Sequence, residues 1–299
     1  MRPEIKAPPV AEATVEPVEV VPQERSIGDI IRDTRNLKAS QVERILAYQR
    51  EHGVRFGEAA VALKMASADD VVYALAQQFQ YPFASESQRG RCPELVVLNQ
   101  PFSEQAEAFR AIRSQITMRM FSNPDGRRVL AVISPNLKDG KSFFAANIAA
   151  SLAQLGGRTL LIDADLRVPR QHEIFRLEDR AGLSAILSGR SRSRVIQEVQ
   201  SLPGLFVLPV GIVPPNPLEL IERSTFGLVI SELASKFDHV VVDTSAASFG
   251  SDAYVIAARC TATLMLARRH ETRVEALREM AAALENTPTQ LAGVIVNDY

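Results

Sequence analysis

Leu160-Leu161-Ile162-Asp163-Ala164-Asp165-Leu166-Arg167 lies about one crossover downstream of Gly140-Lys141-Ser142, and these two stretches together decide the fold. A Gly-Lys-Ser turn between a strand and a helix surrounds phosphates with backbone N–H groups, an ammonium and a hydroxyl. Two carboxylates at the end of the next strand can hold Mg²⁺ and orient a nucleophile. Asp163 and Asp165 share one side, because residues two apart in an extended chain point the same way. A third carboxylate, Asp243, ends the apolar run Val240-Val241-Val242. Singly, each fragment has a bland alternative: a surface lysine after an ordinary strand, or solvated acids at strand ends. Taken in order, they read as a nucleoside triphosphate site, with ATP and Mg²⁺ as the expected ligands.

The complete loop is Ser134-Pro135-Asn136-Leu137-Lys138-Asp139-Gly140-Lys141-Ser142. Against the pattern GxxxxGK[ST], Pro135 replaces the first Gly; it lacks an N–H and fixes φ, so one backbone contact to phosphate is lost. Phe143-Phe144-Ala145-Ala146-Asn147 begins a helix whose positive end faces the phosphates.

Around this site runs an alternation of strand and helix. Expected strands are 129–134, 159–164, 205–210, 240–244, 263–267 and 293–296. Expected helices are 141–155, 225–235, 253–258 and 273–285. Continuous apolar strands separated by helices imply an α/β P-loop fold, a mainly parallel sheet covered on both faces. Ser103 is expected to cap a preceding helix with the stripe Phe109, Ile112, Ile116 and Met120, ended by Asn123-Pro124-Asp125-Gly126. Residues 1–23, rich in Pro, Val and Glu, read as a disordered lead, and 86–101, with Gly90, Pro93 and Pro101, as a linker. Residues 24–85 read as a small all-α domain. In it Gly28, Val42, Leu46 and Gln49 recur 29 residues later as Gly57, Val71, Leu75 and Gln78. Each repeat is expected to hold a short helix, a turn, a capping serine (Ser40, Ser67) and a second helix.

With 299 residues, 46% hydrophobic and 23% charged, the chain can bury a full core and carry a second domain. A net charge of −1 and a pI of ≈ 6.5 give no basic field for nucleic acid. Cys92 and Cys260 lack CxxC spacing and there are four His, so neither a zinc cage nor a disulfide frame is indicated. A reducing cytoplasm fits. Met1-Arg2-Pro3-Glu4 does not begin a signal peptide, and no apolar stretch nears the ~20 residues that span a bilayer. Any membrane contact is therefore expected through a partner.

From Phe102 to Tyr299, about two thirds of the chain, the sequence resembles the bacterial tyrosine kinases of capsule and exopolysaccharide synthesis. These are a branch of the MinD/ParA-like P-loop proteins. The likeness rests on Leu160–Arg167, Gly182–Gly189, Pro214–Leu220, Lys236–Thr244 and Gly293–Asn297, in that order. More narrowly, the chain is similar to exopolysaccharide-cluster tyrosine autokinases linked to exosortase systems.

The resemblance implies that Gly140 and Lys141 bind phosphates, that Ser142, Asp165 and Asp243 serve the metal, and that Asp163 accepts the tyrosyl proton. It implies that Asn297 meets the adenine. Glu107, Arg110 and Arg113 resemble a ring-assembly motif, which implies a homo-oligomer; a solvated helix face with local ion pairs is the competing view. The implied partner is a membrane polysaccharide co-polymerase, or chain-length determinant, that recruits the chain to the inner membrane.

Asn136 replaces the signature lysine of MinD and ParA relatives, which disfavours a positioning ATPase. Asp139 replaces the usual Glu, and Ser245-Ala246 the usual Pro-rich continuation. Tyr299 stands where relatives carry a tyrosine cluster, and it is the candidate phosphosite. Residues 24–85 resemble the N-terminal domain of type II secretion ATPases. Arg55-Phe56-Gly57 keeps one Arg-apolar-Gly start, whereas Ser26-Ile27-Gly28 does not, so protein docking is favoured over cyclic di-GMP binding. Three functions compete, in this order: a tyrosine kinase tuning polysaccharide polymerisation, a nucleotide-switch ATPase, and a nucleotide-binding scaffold. The acidic pair favours catalysis; Pro135 and the lone Tyr299 favour the scaffold.

Overall fold

The computed structural model describes residues 25–78, 92–120, 129–190 and 195–298. The lead over 1–23, the helix stop at 123–126 and Tyr299 lie outside the described residues. The chain divides into two compact units, with the boundary between Phe79 and Gln80.

The first unit holds α1 (Ile27–Arg35), α2 (Ala39–His52), α3 (Phe56–Ala62) and α4 (Ala68–Gln78). α1 packs on α4 and α2 on α3. Ile30, Ile31 and Ala74 form one small core, and Ile45, Ala59 and Ala60 another, with Phe56 and Leu37 against both. The repeat has a physical basis at Gly57, where a Cβ would lie 2.7 Å from a Val71 methyl. Only glycine lets α3 and α4 approach so closely. At Gly28 the same atom would meet Phe56 at an ordinary 3.6 Å, so the two copies pack differently.

Ser67 caps α4 as expected: its Oγ accepts from Asp70 N (3.2 Å), while Asp70 Oδ2 accepts from Ser67 N (2.6 Å). Ser40 does not cap α2, which begins one residue earlier at Ala39. There Gln41 Oε1 accepts from Lys38 N at 2.9 Å and supplies the cap instead.

The second unit adds α5 (Val96–Asn99), α6 (Glu104–Met120), β1 (Val129–Ile133), α7 (Lys141–Ala153), β2 (Thr159–Asp163), α8 (Gln171–Phe175), α9 (Leu183–Leu187), β3 (Gln197–Glu198) and β4 (Leu205–Leu208). It continues with α10 (Pro217–Glu222), α11 (Ser224–Lys236), β5 (His239–Asp243), α12 (Asp252–Ala257), β6 (Ala262–Arg268), α13 (Val274–Glu285) and β7 (Gln290–Asn297). The sheet order is β3-β4-β2-β5-β1-β6-β7, parallel except for the short edge strand β3.

Strand residues alternate between two cores. Leu130, Val132, Leu161 and Val241 face α6 and α7, whereas Val129, Ala131, Leu160 and Val240 face the opposite layer with Phe226, Ile256 and Met280. The sheet is therefore buried on both sides, as its continuous apolar runs require. Ser103 caps α6, its Oγ accepting from Ala106 N at 3.1 Å.

From Cys92 onward, the stretch expected as a linker is part of this core. Leu95, Val97 and Leu98 are buried, and the fully buried Asn147 of α7 holds them. Its Nδ2 donates to Glu94 O (2.8 Å) and its Oδ1 accepts from Val97 N (3.3 Å). The apolar run Leu95-Val96-Val97-Leu98 outweighs the flanking prolines.

In the first unit Arg35 Nε donates to Asp70 Oδ2 at 2.7 Å. Burial pushes the Asp70 carboxyl up, but Arg35 and the Ser67 donors outweigh it and hold it below its ordinary value. Such a carboxylate stabilises the fold above the unfolded carboxyl range, and that contribution fades as pH falls through the lowered value. Asp70→Asn should destabilise these helices by about 1–2 kcal/mol, a lost cap plus a weakened pair. Faster amide exchange in α1 and α4 at neutral pH, with the gap to wild type narrowing below pH ~4, is the expected result.

Candidate functional site

β1 ends in the loop that turns into α7. Lys138 (φ 67°) and Gly140 (φ 95°) are both left-handed, and they swing the backbone so that α7 starts at Lys141. Asp139 braces the loop from within: Oδ2 accepts from Asn136 N (2.8 Å) and Oδ1 from Thr272 Oγ1 (2.9 Å). Its carbonyl accepts from Asn297 Nδ2 at 3.2 Å. The other half of the loop is tied to the turn after β5, since Ala247 N donates to Ser134 O (3.0 Å) and Ser248 N to Pro135 O (2.9 Å). Pro135 thus anchors the loop through its carbonyl.

Lys141 is buried, its Nζ donating to Ser134 Oγ (3.1 Å) and Asn136 O (3.4 Å). Burial lowers its proton affinity, while Asp243, Asp165 and Asp139 act against that loss. Two of the acids expected at the site, Asp165 and Asp243, therefore lie within electrostatic reach of this ammonium, together with Asp139 of the loop itself. Asp163 and Asp243 are register partners on adjacent parallel strands, which sets their backbones about 4.8 Å apart. Both are fully buried.

Asp163 Oδ2 accepts from the backbone of Gln171 (2.9 Å) and Arg170 (3.2 Å), and Oδ1 from Asp165 N (3.2 Å). Burial, then the Asp243 charge, pushes its carboxyl well above the ordinary range despite these donors. Burial also drives Asp243 up, to about 6, against hydrogen bonds from Gln171 and Ser142 and the charge of Lys141. Asp165 Oδ1 accepts from Arg167 N (3.1 Å) and Val168 N (2.9 Å), which winds the following loop around the carboxylate. Arg167 pins that loop to α12 through Asp252, Nε to Oδ2 at 2.5 Å.

A cleft of about 720 Å³ opens above, lined by Gly140, Lys141, Ser142 and Asp165, with Glu94 and Val96 from the α5 segment and Arg268 from β6. Asp163 and Asp243 lie buried behind it, and neither they nor Asn297 are among its lining residues. Glu107, Arg110 and Arg113 stand apart from the cleft on α6. Arg110 pairs with Glu107 (2.6 Å) and donates to Pro101 O (2.6 Å), and Arg113 donates to Ser151 O (2.8 Å) on α7. Sequence reasoning missed Gln171, whose amide touches both α7 and Asp243. A glutamine carries no spacing signal that marks it as a site residue.

The arrangement suits a phosphorylated ligand with a hydrated metal. Among the described residues no three His, Cys, Asp or Glu side chains form a ready-made metal cage. Magnesium does not need one; it keeps several waters and takes one or two carboxylates plus substrate phosphates. Asp243 Oδ1, buried and without a partner, fits that chemistry as an acceptor for such waters.

Residues 115–299 match the CobQ/CobB/MinD/ParA nucleotide binding domain family. Over 205 residues the chain is 35% identical to CapB of Staphylococcus aureus, named for a tyrosine-protein kinase, covering 68% of this chain and 88% of CapB. It belongs to the bacterial tyrosine-protein kinase family. The tyrosine-protein kinase ptk of Acinetobacter johnsonii is 33% identical over 192 residues, which span 64% of this chain and 26% of ptk. The kinase domain of the Escherichia coli tyrosine kinase ETK superposes with a TM-score of 0.65 at 29% identity, covering 68% of this chain and 79% of that one.

For a family member with this loop, Lys141→Met removes charge-assisted hydrogen bonds of about 1.5–3 kcal/mol. Equilibrium binding of a fluorescent ATP analogue should weaken by about 10- to 100-fold.

Proposed function

We propose that this chain transfers the γ-phosphoryl group of ATP to protein tyrosine, including copies of itself, and so tunes a membrane polysaccharide co-polymerase. The observation that carries this reading is the gathering of Asp165 and Asp243 around the Lys141 ammonium of the phosphate loop, with Asp163 next to Asp243 across the β2–β5 pairing. Burial, then the Asp243 charge, makes the ionised Asp163 carboxylate a stronger base than a solvated aspartate, which suits it to accept a hydroxyl proton. Phosphoryl transfer otherwise needs positioning and charge neutralisation. Lys141 and the backbone of Gly140 would cradle the β- and γ-phosphates. Ser142 would ligate the metal directly, and Asp165 and Asp243 would hold its waters. Magnesium bound there would neutralise charge on the transferring group. Asn297, tied to the loop through its amide N–H, would offer its side-chain oxygen to the adenine.

Assembly belongs to the same proposal: Glu107 stays 69% exposed on α6 and is open to a neighbouring copy. The helices between Ile27 and Gln78, within the expected domain 24–85, would dock a protein partner. No helix among the described residues is long and apolar enough to cross a membrane, so a partner would hold the chain at the inner membrane. Tyr299 is the candidate acceptor.

Incubating the full chain with Mg-ATP and the cytosolic segment of a co-polymerase, then mapping phosphotyrosine by mass spectrometry, tests this directly. Phosphotyrosine should form, and Asp163→Asn should keep ATP binding within about twofold yet lower transfer by about 10²- to 10⁴-fold. Free phosphate without phosphotyrosine would point to a switch ATPase instead.

A further inference from the structure

Gln171 opens α8, six residues past Asp165, and is fully buried. It touches three elements of the site at once. Its backbone N–H donates to Asp163 Oδ2 at the end of β2 (2.9 Å). Its Nε2 donates to Asp243 Oδ2 at the end of β5 (2.8 Å) and to the carbonyl of Ser142 in the first turn of α7 (3.0 Å). Both amide protons are thereby used. The network also settles which way the amide faces, because turning it over would set oxygen against a carboxylate and a carbonyl.

What remains is the amide oxygen. Gln171 Oε1 is buried and has no partner, and the same holds for Asp243 Oδ1 on the carboxylate it braces. Two orphaned acceptors on hydrogen-bonded neighbours are rare in a folded interior, where buried polar groups are nearly always paired or hydrated. Ordered water, itself bound to something that polarises it, would satisfy both.

We infer that Gln171 is a positioning residue of the phosphoryl-transfer site: it fixes Asp243 against the phosphate loop and, with Asp243, accepts hydrogen bonds from the waters around magnesium. This rests on the magnesium–nucleotide reading above and deepens it. The side chain touches no phosphate. It acts through the spacing between Ser142, in the first turn of α7, and Asp243, at the end of β5, and through the orientation of the metal's hydration shell. Because it is neutral, Gln171 can donate to Asp243 through its side-chain amide and to Asp163 through its backbone N–H without adding to the negative charge already buried there.

The test is a magnesium titration of ATP-analogue binding by the full chain, with a metal-free arm in EDTA. Gln171→Met keeps the length and removes the amide. It should raise the magnesium concentration at half effect about tenfold or more, the usual consequence of losing a partner that orients metal ligands. Metal-free nucleotide affinity should stay within about twofold, and excess magnesium should restore phosphotyrosine formation. Gln171→Ala, which leaves room for a water, gives the same reading should the methionine variant not fold. An unchanged magnesium midpoint in a folded variant, or an equal loss in both arms, would overturn the inference. Failure of the wild-type chain to bind nucleotide at all would instead sink the reading of the site, and the EDTA arm separates the two.

Discussion

Two carboxylates, Asp163 and Asp243, are forced side by side in a buried interior, and much of the second unit is arranged to make that tolerable. Removing an ion from water costs several kcal/mol even after relaxation, and a neighbouring like charge adds to it. The compensation is local and specific. Three backbone N–H groups converge on Asp163. Lys141, Gln171 and Ser142 act on Asp243. Three backbone donors can reach one carboxylate only if the chain from 165 to 171 wraps around it. That wrapping in turn needs Asp165 to organise the turn and Arg167 to fasten it to Asp252. The acid that would accept a proton and the loop that encloses it are one structure.

Sheet order makes the convergence possible. β2, β5 and β1 are consecutive, so the second acidic motif, the third acid and the phosphate loop leave adjacent strands at the same carboxyl-terminal edge. Register matters as much as order. The pairing of Asp163 with Asp243 continues a ladder that begins at Thr159 and His239. A slip of one residue would turn every side chain of β2 to the other face. In the observed register Leu160 and Leu161 fill the two opposite cores while Asp163 meets Asp243 at the strand ends.

The same physics explains what could be read from the amino acids. The parallel strands stood out because burial on both faces demands unbroken apolar runs such as Val240-Val241-Val242. The phosphate loop and the acids stood out because their chemistry fixes their spacing. The features that escaped depend on tertiary partners. Leu95–Leu98 is too short and too flanked by proline to announce a core helix, yet Asn147 completes it. β3, two residues long and antiparallel at the sheet edge, has no pattern to detect. Ser40 lost the capping role because α2 starts at Ala39, which puts Ser40 inside the helix and leaves Gln41 to reach back to Lys38 N. The Gln171 side chain matters through partners 29 and 72 residues away.

The departures in the phosphate loop acquire a meaning from how it is suspended. A loop with proline in place of its first glycine, and with lysine at a left-handed position, is less free to find its shape than a glycine-rich one. Here that shape is imposed from outside. One side hangs on the turn after β5, through the carbonyls of Ser134 and Pro135. The other hangs on Thr272 and Asn297, both reaching Asp139. Asp139, in the place of a longer glutamate, is at the length that lets one oxygen close the loop on Asn136 N while the other meets Thr272. Asn297 in turn ends β7, an edge strand with much of its length exposed. Movement at that edge would pass through a single amide to the phosphate loop backbone, so the final strand supports the site through the loop.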